Sequence, residues 1–301
     1  MLTRYTQHNL TWVDLVSPTT AEVRQLMQEF GIEPSVAQEL LIPSFSQKIQ
    51  RRGDTLYLVL HFPALHGGRA SQEVDFVIGK NFLITTRYES IDPLHVFAKA
   101  FEVDSILGRN HGSTHGGHLF VQMVRNLYRA LVEESEILRR RLMDIEEQVF
   151  GGDERRMVIE ISHAGRVVHD FRQSLLPHKE ILIALEPMAT RLFGQEFTYY
   201  LHELNSTYER VHATIQNLRE SLNELRETNN SLLTTKQNEI MKVFTVLAFV
   251  TFPLSLLVSL VALPSRDNPI LPMPYAFPIV VGTTLALAVG AFMYFKHKKW
   301  L

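Results

Sequence analysis

The sequence predicts an α+β domain of ordinary size, followed by very long helices and two C-terminal transmembrane helices. Three observations predict this class. Short apolar runs bounded by Gly, Pro and Asp occupy residues 12–105. From about residue 118 the apolar residues recur at helical spacing. Residues 243–263 carry no charge, and none returns between Asp267 and Lys296, so each of these runs is long enough to cross a bilayer as a helix.

The N-terminal segment alternates strand and helix patterns. TWVDLVSP predicts a strand, and TTAEVRQLMQEFGI predicts a helix that begins after a Thr cap and ends near Gly31. A turn at Gly53 and Asp54 predicts a hairpin, and EVDFVIGKNFLITTRY predicts two short strands around Gly79. The segment has neither a nucleotide-binding glycine pattern nor a nucleophile elbow. No catalytic residue is predicted, and the protein is not expected to be an enzyme.

Composition narrows the expected partners. The chain has 30 Lys and Arg against 32 Asp and Glu, a net charge of −2, so a nucleic-acid partner is not expected. It has no cysteine, which excludes disulfides and zinc–thiolate sites. No resident cofactor is predicted.

A histidine-rich stretch, RNHGSTHGGHLF, precedes the long helices. Three imidazoles this close, His111, His115 and His118, are able to bind a transition metal. The glycines between them favour a mobile surface loop instead.

Two long helical patterns follow. GHLFVQMVRNLYRALVEESEILRRRLMDIEEQVF predicts one amphipathic helix ended by Gly151, and a second runs from Asp153 to Phe193 with bends near Pro177 and Pro187. These helices carry acidic side chains such as Glu133, Glu134, Glu146 and Glu147. They either hold a divalent ion or form solvated helix faces, and the arginines interleaved with them favour solvated faces.

A third helix carries a heptad seam with alternating spacings of three and four. Its members are Leu201, Leu204, Tyr208, Val211, Ile215, Leu218, Leu222, Leu225, Asn229 and Leu232. No Pro or Gly interrupts residues 195–250, so the seam is expected to continue into the first span as one rod on the order of 100 Å long. Such a rod either couples the domain mechanically to the span or, if the seam packs only within its own subunit, acts as scaffold.

Basic residues predict the orientation of the membrane hairpin. The tail places Lys296, Lys298 and Lys299 just past the second span, whereas the turn between the spans offers Arg266 next to Asp267. By the positive-inside rule, both termini face the cytoplasm. The chain is therefore expected to be an integral protein of the cell inner or plasma membrane, in contact with lipid.

These patterns divide the chain into seven predicted segments. They are an α/β domain (1–110), long antiparallel helices (111–194), a stalk helix (195–242), a first span (243–263), an extracytoplasmic loop (264–274), a second span (275–295) and a basic tail (296–301).

A stripe of side chains along the first span is the candidate functional site. Its members are Asn238, Met241, Thr245, Ala248, Phe252, Ser255 and Ser259. Hydroxyls on one stripe are typical of a pore lining, although an interhelical hydrogen-bond face uses the same residues. Two helices cannot enclose a water-filled path, so a pore requires several chains. Neither span contains an acidic or basic side chain, which suits an ion that keeps much of its hydration shell, such as Mg²⁺.

The order of these parts resembles the CorA family of divalent-metal channels, the two-transmembrane GxN superfamily, over nearly the whole chain. TWVDLVSPTTAEVRQLMQEFGIEP and EVDFVIGKNFLITTRY are similar to the family's N-terminal domain. KQNEIMKVFTVLAFVTFPLSLLVSL and the terminal YFKHKKWL are similar to its stalk–membrane junction and basic tail.

The resemblance implies a funnel-shaped homopentamer that conducts divalent cations passively and is gated by its cytoplasmic domain. Divalent cations would be both substrate and regulator, with magnesium, cobalt, nickel and zinc as candidates. The first spans would line the pore, with Asn238 and Met241 at its inner mouth and Ala248, Phe252 and Ser255 further out. The second spans would form an outer ring, and the basic tails would gather near the inner mouth.

The family's ion filter is missing. The family normally ends its first span with Gly-Met-Asn, whose asparagine ring binds the hydrated ion. Here these positions are Ala262, Leu263 and Pro264, which lack a side-chain oxygen. In the following loop, Asp267 and Asn268 offer oxygens, and Arg266 offsets the charge of Asp267. Three hypotheses remain: a divalent-cation channel, a channel for another solute, and a non-conducting membrane regulator.

Overall fold

A computed structural model describes residues 1–7, 9–64, 71–106, 114–262 and 275–298. The chain divides into two compact units, residues 1–226 and residues 227–301. The predicted fold class is confirmed, since an α+β domain is followed by long helices and two C-terminal apolar helices.

A six-stranded sheet forms the base of the first unit. Its strands are β1 (Leu2–Gln7), β2 (Leu10–Val16), β3 (Lys48–Arg52), β4 (Thr55–Phe62), β5 (Gln72–Ile78) and β6 (Phe82–Arg87). They lie in the order β1-β2-β6-β5-β4-β3. The β2–β6 pair is parallel and the other pairs are antiparallel. The hairpin at Gly53 and the pair of strands around Gly79 are as predicted.

Eight helices complete the described chain. They are α1 (Thr20–Phe30), α2 (Pro34–Glu39), α3 (Asp92–Ile106), α4 (Gly116–Phe150), α5 (Glu154–Leu175), α6 (His178–Phe193), α7 (Phe197–Ala262) and α8 (Ala276–His297). Helix α1 begins at a capping box in which Thr19 and Glu22 satisfy each other's backbone N–H, and Gly31 ends it in the left-handed conformation that favours glycine.

Helices cover both faces of the sheet. On one face, apolar side chains of α1 and α2 pack on residues such as Leu15, Val59 and Ile84. On the other face, the fully buried Trp12 stacks on Tyr5 and meets the edge of Phe101 from α3. Aromatic side chains of this size dominate the free energy of a core.

The prediction of one bent helix over residues 153–193 is wrong. The structure has two helices, and the chain breaks at Leu176 and Pro177 because Pro177 has no backbone N–H to continue the first. At the second predicted bend, α6 continues through Pro187 without ending. Strand β1 and helices α2 and α3 were not predicted.

The heptad seam packs within its own chain over the part that lies in the first unit. Every seam residue from Leu201 to Leu225 is buried in the single chain. Tyr208 lies against Tyr128 of α4, and a Cβ added at Gly165 of α5 would meet Leu222 at 3.3 Å. This packing agrees with the scaffold alternative for residues 197–226.

Candidate pore-lining face

The predicted stripe lies on one exposed side of α7, within the second unit. Successive residues of a helix are turned by about 100°, which places all seven stripe residues on the same side. All are exposed in the single chain except the half-buried Ala248. Met241 is 56% exposed and Phe252 is 74% exposed. The structure therefore brings together the described side chains that the sequence predicted as one face.

The opposite side of the same helix is the one that the chain itself covers. Val246 is only 4% exposed, and the half-buried Val250, Leu254 and Val261 follow it at helical spacing. By the same rotation per residue these four side chains lie roughly opposite the stripe. The stripe consequently points away from the protein's own covered surface and towards whatever surrounds the single chain.

Two hydroxyls of the stripe are hydrogen-bonded back to the helix. Thr245 Oγ1 donates to the carbonyl of Met241 at 2.8 Å, and Ser259 Oγ donates to the carbonyl of Ser255 at 2.8 Å. Because each proton is committed to the backbone, the oxygen lone pairs are left to accept from water or to meet a cation. Thr251, off the stripe, makes the same bond to Leu247 at 2.9 Å. It therefore serves as a matched control.

The helix continues through Pro253, which lies beside Phe252. Proline lacks an N–H, so the carbonyl of Phe249 loses its usual partner one turn away.

The second apolar helix shows a similar division into two sides. Its half-buried residues share one face, namely Val280, Thr284, Ala288, Ala291 and Phe295. The small residues Gly282, Ala286 and Gly290 lie on the other side, where a Cβ added at either glycine would meet nothing within 4 Å. Close packing through these small residues is thus not used within the single chain.

Several predicted site residues lie outside the described residues: Leu263, Pro264, Arg266, Asp267, Asn268 and Lys299. Of the filter-equivalent positions, Ala262 is described, and it is the exposed last residue of α7. Lys296 and Lys298 are described at the exposed end of α8, where the Lys298 ammonium lies 5.6 Å from the Tyr294 ring centroid.

The described histidines of the candidate metal site pack at the start of α4 and do not lie in a solvated loop. His115 caps α4 by accepting from the His118 backbone N–H, and its ring stacks on His118 at 3.9 Å and on Phe193 at 4.4 Å. Burial lowers the pKa of His115 to about 4, so the ring is neutral at physiological pH. His111 lies outside the described residues, and no group of three or more His, Asp or Glu able to hold a metal occurs in the described ranges.

Sequence reasoning missed a buried polar network in the first unit. His178 is fully buried, and burial lowers its pKa to about 4. The Tyr128 hydroxyl donates to His178 Nδ1 at 2.8 Å. His178 Nε2 donates to the backbone carbonyl of His61 at 3.0 Å. The network ties α6 to α4 and β4. Its members are far apart in sequence, and no local pattern marks them.

Comparison with known proteins decides the family. A family model described as CorA-like Mg²⁺ transporter protein matches residues 7–297. The chain belongs to the CorA family. The cobalt/magnesium transport protein CorA of Thermotoga maritima is 23% identical over 300 residues, covering 97% of this chain and 83% of the relative. The magnesium transport protein CorA of Campylobacter jejuni is 24% identical over 314 residues, covering 97% and 92%.

A solved CorA structure shows the same fold. The complete CorA magnesium transporter from Methanocaldococcus jannaschii matches with a TM-score of 0.85, covering 99% of this chain and 93% of that one. At 18% sequence identity this CorA likeness supports the fold alone.

Proposed function

We propose that the protein is a channel for divalent cations in the cell inner or plasma membrane, built from several copies whose α7 stripes face a common axis. The observation that carries the proposal is the position of the stripe, opposite the side of α7 that the chain covers with its own residues. A polar stripe on an otherwise apolar span requires either water or another chain. Family likeness favours five copies.

The chemistry of the stripe suits a hydrated cation. It offers a carboxamide at Asn238 and hydroxyls at Thr245, Ser255 and Ser259, and it has no ionisable side chain. Neutral oxygens along a pore contact the water shell of an ion without binding the ion so tightly that it stays. Mg²⁺ dehydrates reluctantly and prefers oxygen ligands. The names of the relatives, cobalt/magnesium and magnesium transport proteins, support the same ion class.

A second candidate is the same assembly carrying a different solute, or carrying none and serving as a membrane regulator. The observation that favours it is the missing Gly-Met-Asn filter. Ala262 at the end of α7 has no side-chain oxygen with which to hold a hydrated ion. In the first candidate, Asp267 or Asn268 of the loop takes over that role.

The proposed orientation places both termini in the cytoplasm, with Lys296 and Lys298 on the inner side. Flux is then passive, and the membrane potential favours entry of a divalent cation by ~2.3 kcal/mol per charge per 100 mV. We further propose that divalent cations on the cytoplasmic side lower this flux by acting on the N-terminal domain.

The test is uptake into proteoliposomes that contain a divalent-sensitive dye, with Mg²⁺, Co²⁺, Ni²⁺ and Zn²⁺ offered in turn. Saturable uptake that cobalt hexammine blocks is expected, since that complex mimics a hydrated ion. Thr245→Val is expected to reduce uptake because it removes a stripe oxygen, whereas the matched Thr251→Val leaves uptake unchanged. Protein-free vesicles give the background.

Two results would contradict the proposal. Equal loss of uptake in Thr245→Val and Thr251→Val would show that the stripe has no special role. No divalent uptake by a protein that remains assembled, as judged by its mass in detergent, would favour the second candidate. Monovalent uptake in the same vesicles would then separate a different channel from a non-conducting regulator.

A further inference from the structure

Asp75 carries a carboxyl group into the buried interior of the first unit. It lies in the middle of β5, is 0% exposed, and its chain neighbours Val74 and Phe76 are also buried. The Tyr57 hydroxyl donates to its Oδ2 over a long 3.4 Å. In the part of the chain that the structure describes, its Oδ1 has no hydrogen-bond partner. An ionised carboxylate in such a place is costly unless a charge or several donors compensate it.

Glu73, two residues earlier on the same side of β5, has much better partners. The backbone N–H of Ser44 lies 2.8 Å from both of its carboxylate oxygens. His61, its register partner on β4, places Nε2 3.2 Å from Glu73 Oε2. These donors satisfy both oxygens of the Glu73 carboxylate. Of the two neighbouring carboxyl groups, Glu73 is therefore the one equipped to carry the negative charge.

No described cationic side chain forms an ion pair with Asp75. The ammonium of Lys48, on β3, pairs with Glu39 of α2 at 2.5 Å instead. The groups that face Asp75 from the surrounding elements are Tyr57 and His61 on β4, Glu73 on β5, Thr86 on β6, Tyr88 just after β6, Lys48 on β3 and Glu39 on α2. Thr86 is its register partner and is also fully buried, and among the described residues its Oγ1 has no hydrogen-bond partner.

We propose that Asp75 binds a proton in the folded domain at neutral pH and shares it with the carboxylate of Glu73. A protonated Asp75 becomes a hydrogen-bond donor, and Glu73 beside it is an acceptor. The pair then carries one negative charge, which is the usual arrangement when two carboxyl groups occupy one buried place. The ligand of this site is the proton itself.

The electrostatic surroundings act in the same direction. Burial raises the pKa of the Asp75 carboxyl well above its ordinary value, and the neighbouring charge of Glu73 raises it further. The Tyr57 hydroxyl and the Lys48 charge lower it by less. The folded protein holds this proton more tightly than the unfolded chain does. The contribution of the bound proton to the free energy of unfolding is therefore complete below the ordinary pKa of an Asp. It is lost as the pH rises through the raised pKa of the folded state.

Asp75→Asn imitates the protonated acid, because its carbonyl accepts from Tyr57 and its amide donates to Glu73. The test is thermal unfolding of the full chain in detergent between pH 6 and pH 9. Asp75→Asn is expected to raise Tm at the alkaline end by about 2–4 °C and to flatten the fall of Tm with pH. Asp54→Asn, which removes an exposed acid of the β3–β4 turn, is the matched control and should keep the wild-type slope.

Infrared spectroscopy tests the proton directly. The wild-type protein is expected to show a protonated-carboxyl C=O band at neutral pH that Asp75→Asn lacks. Glu73→Gln should shift the disappearance of this band to lower pH, because the charge that helps to hold the proton is gone. This second variant keeps the test decisive if Asp75→Asn fails to fold.

Three results would overturn the proposal. One is the absence of such a band from the wild-type protein at neutral pH. Another is an unchanged dependence of Tm on pH in Asp75→Asn. The third is stabilisation by added Mg²⁺ or Na⁺ that Asp75→Asn abolishes while the dependence on pH stays the same, which would assign the site to a metal cation.

Discussion

Residues 1–226 and residues 227–301 place their polar side chains in opposite ways. In the first unit, Asp14 and Arg87 form a buried ion pair at 2.8 Å, and His178 is bonded on both ring nitrogens. In the second unit, the polar side chains of the α7 stripe are exposed, among large exposed apolar residues such as Phe252. In these examples the first unit encloses its polar side chains, whereas the second unit leaves those of the stripe exposed in the single chain.

The difference indicates where each unit obtains its stability. Substitutions in the first unit should act on folding of the single chain, because the affected contacts are internal. Exposed apolar helices lack that internal support and require a bilayer or other copies to cover them. The predictions below test this contrast, from the largest expected effect to the smallest.

Removing one partner of the buried ion pair should be the most damaging change. Arg87→Met leaves the Asp14 carboxylate buried with the hydroxyl of Thr85 as its remaining close donor, at 2.8 Å. The expected loss is about 3–5 kcal/mol of unfolding free energy. Thermal unfolding in detergent measures it, and the double variant Asp14→Leu/Arg87→Met should recover much of the loss.

The control for this prediction is an exposed pair. Arg139 bonds Glu136 on the surface of α4, and Arg139→Met should leave Tm unchanged. An Arg87→Met protein as stable as the wild type would contradict the internal role of the ion pair.

The same substitution at two positions of α7 compares the units directly. Leu204 is 0% exposed and belongs to the seam, whereas Leu247 is 56% exposed in the apolar span. Leu204→Ala should cost about 2–5 kcal/mol because it leaves a cavity. Leu247→Ala should cost much less in the detergent-solubilised single chain. Equal losses of Tm in the two variants would remove the contrast between the units.

Acid should destabilise the first unit through His178. Burial lowers its pKa to about 4, so the unfolded chain binds this proton below pH 6.5 while the folded chain does not. Stability should fall by about 3 kcal/mol between pH 6.5 and pH 4 from this residue.

Urea unfolding over this pH range measures the effect. His178→Leu is expected to be less stable at neutral pH, since it leaves the Tyr128 hydroxyl and the His61 carbonyl without their partner, but to lose less on acidification. His202→Leu, at an exposed histidine, is the control. A His178→Leu protein with the wild-type dependence on pH would refute the assignment.

Much of the architecture could be predicted because its signals are local. The continuous apolar run of β4, the Thr cap of α1 and the uncharged length of both spans each lie in a short stretch of sequence. Helical spacing alone also placed the stripe residues on one side of α7. Helix α3 was missed although Asp92 and Pro93 provide a start signal, because its apolar residues follow no clear period.

The buried polar groups could not be predicted because tertiary packing creates them. The local sequence around Asp75 shows an acidic residue among apolar strand residues, but it does not show which side chains contact that residue. Glu73 and His61 become neighbours through the β4–β5 register, and Tyr128 and His178 through packing of α4 on α6. The filter could not be located for a different reason, since Asp267 and Asn268 lie in a segment outside the described residues.

Cysteine accessibility tests the central claim most directly, because the natural chain contains no cysteine. Thr245→Cys lies on the stripe, and Thr251→Cys, six residues further along α7, is turned by about 120° from it. Both are labelled in proteoliposomes with a charged thiol reagent that does not cross the bilayer. The account predicts rapid labelling and loss of divalent uptake for Thr245→Cys only. Slow labelling of both positions, or labelling of Thr251→Cys alone, would contradict a water-filled path along the stripe.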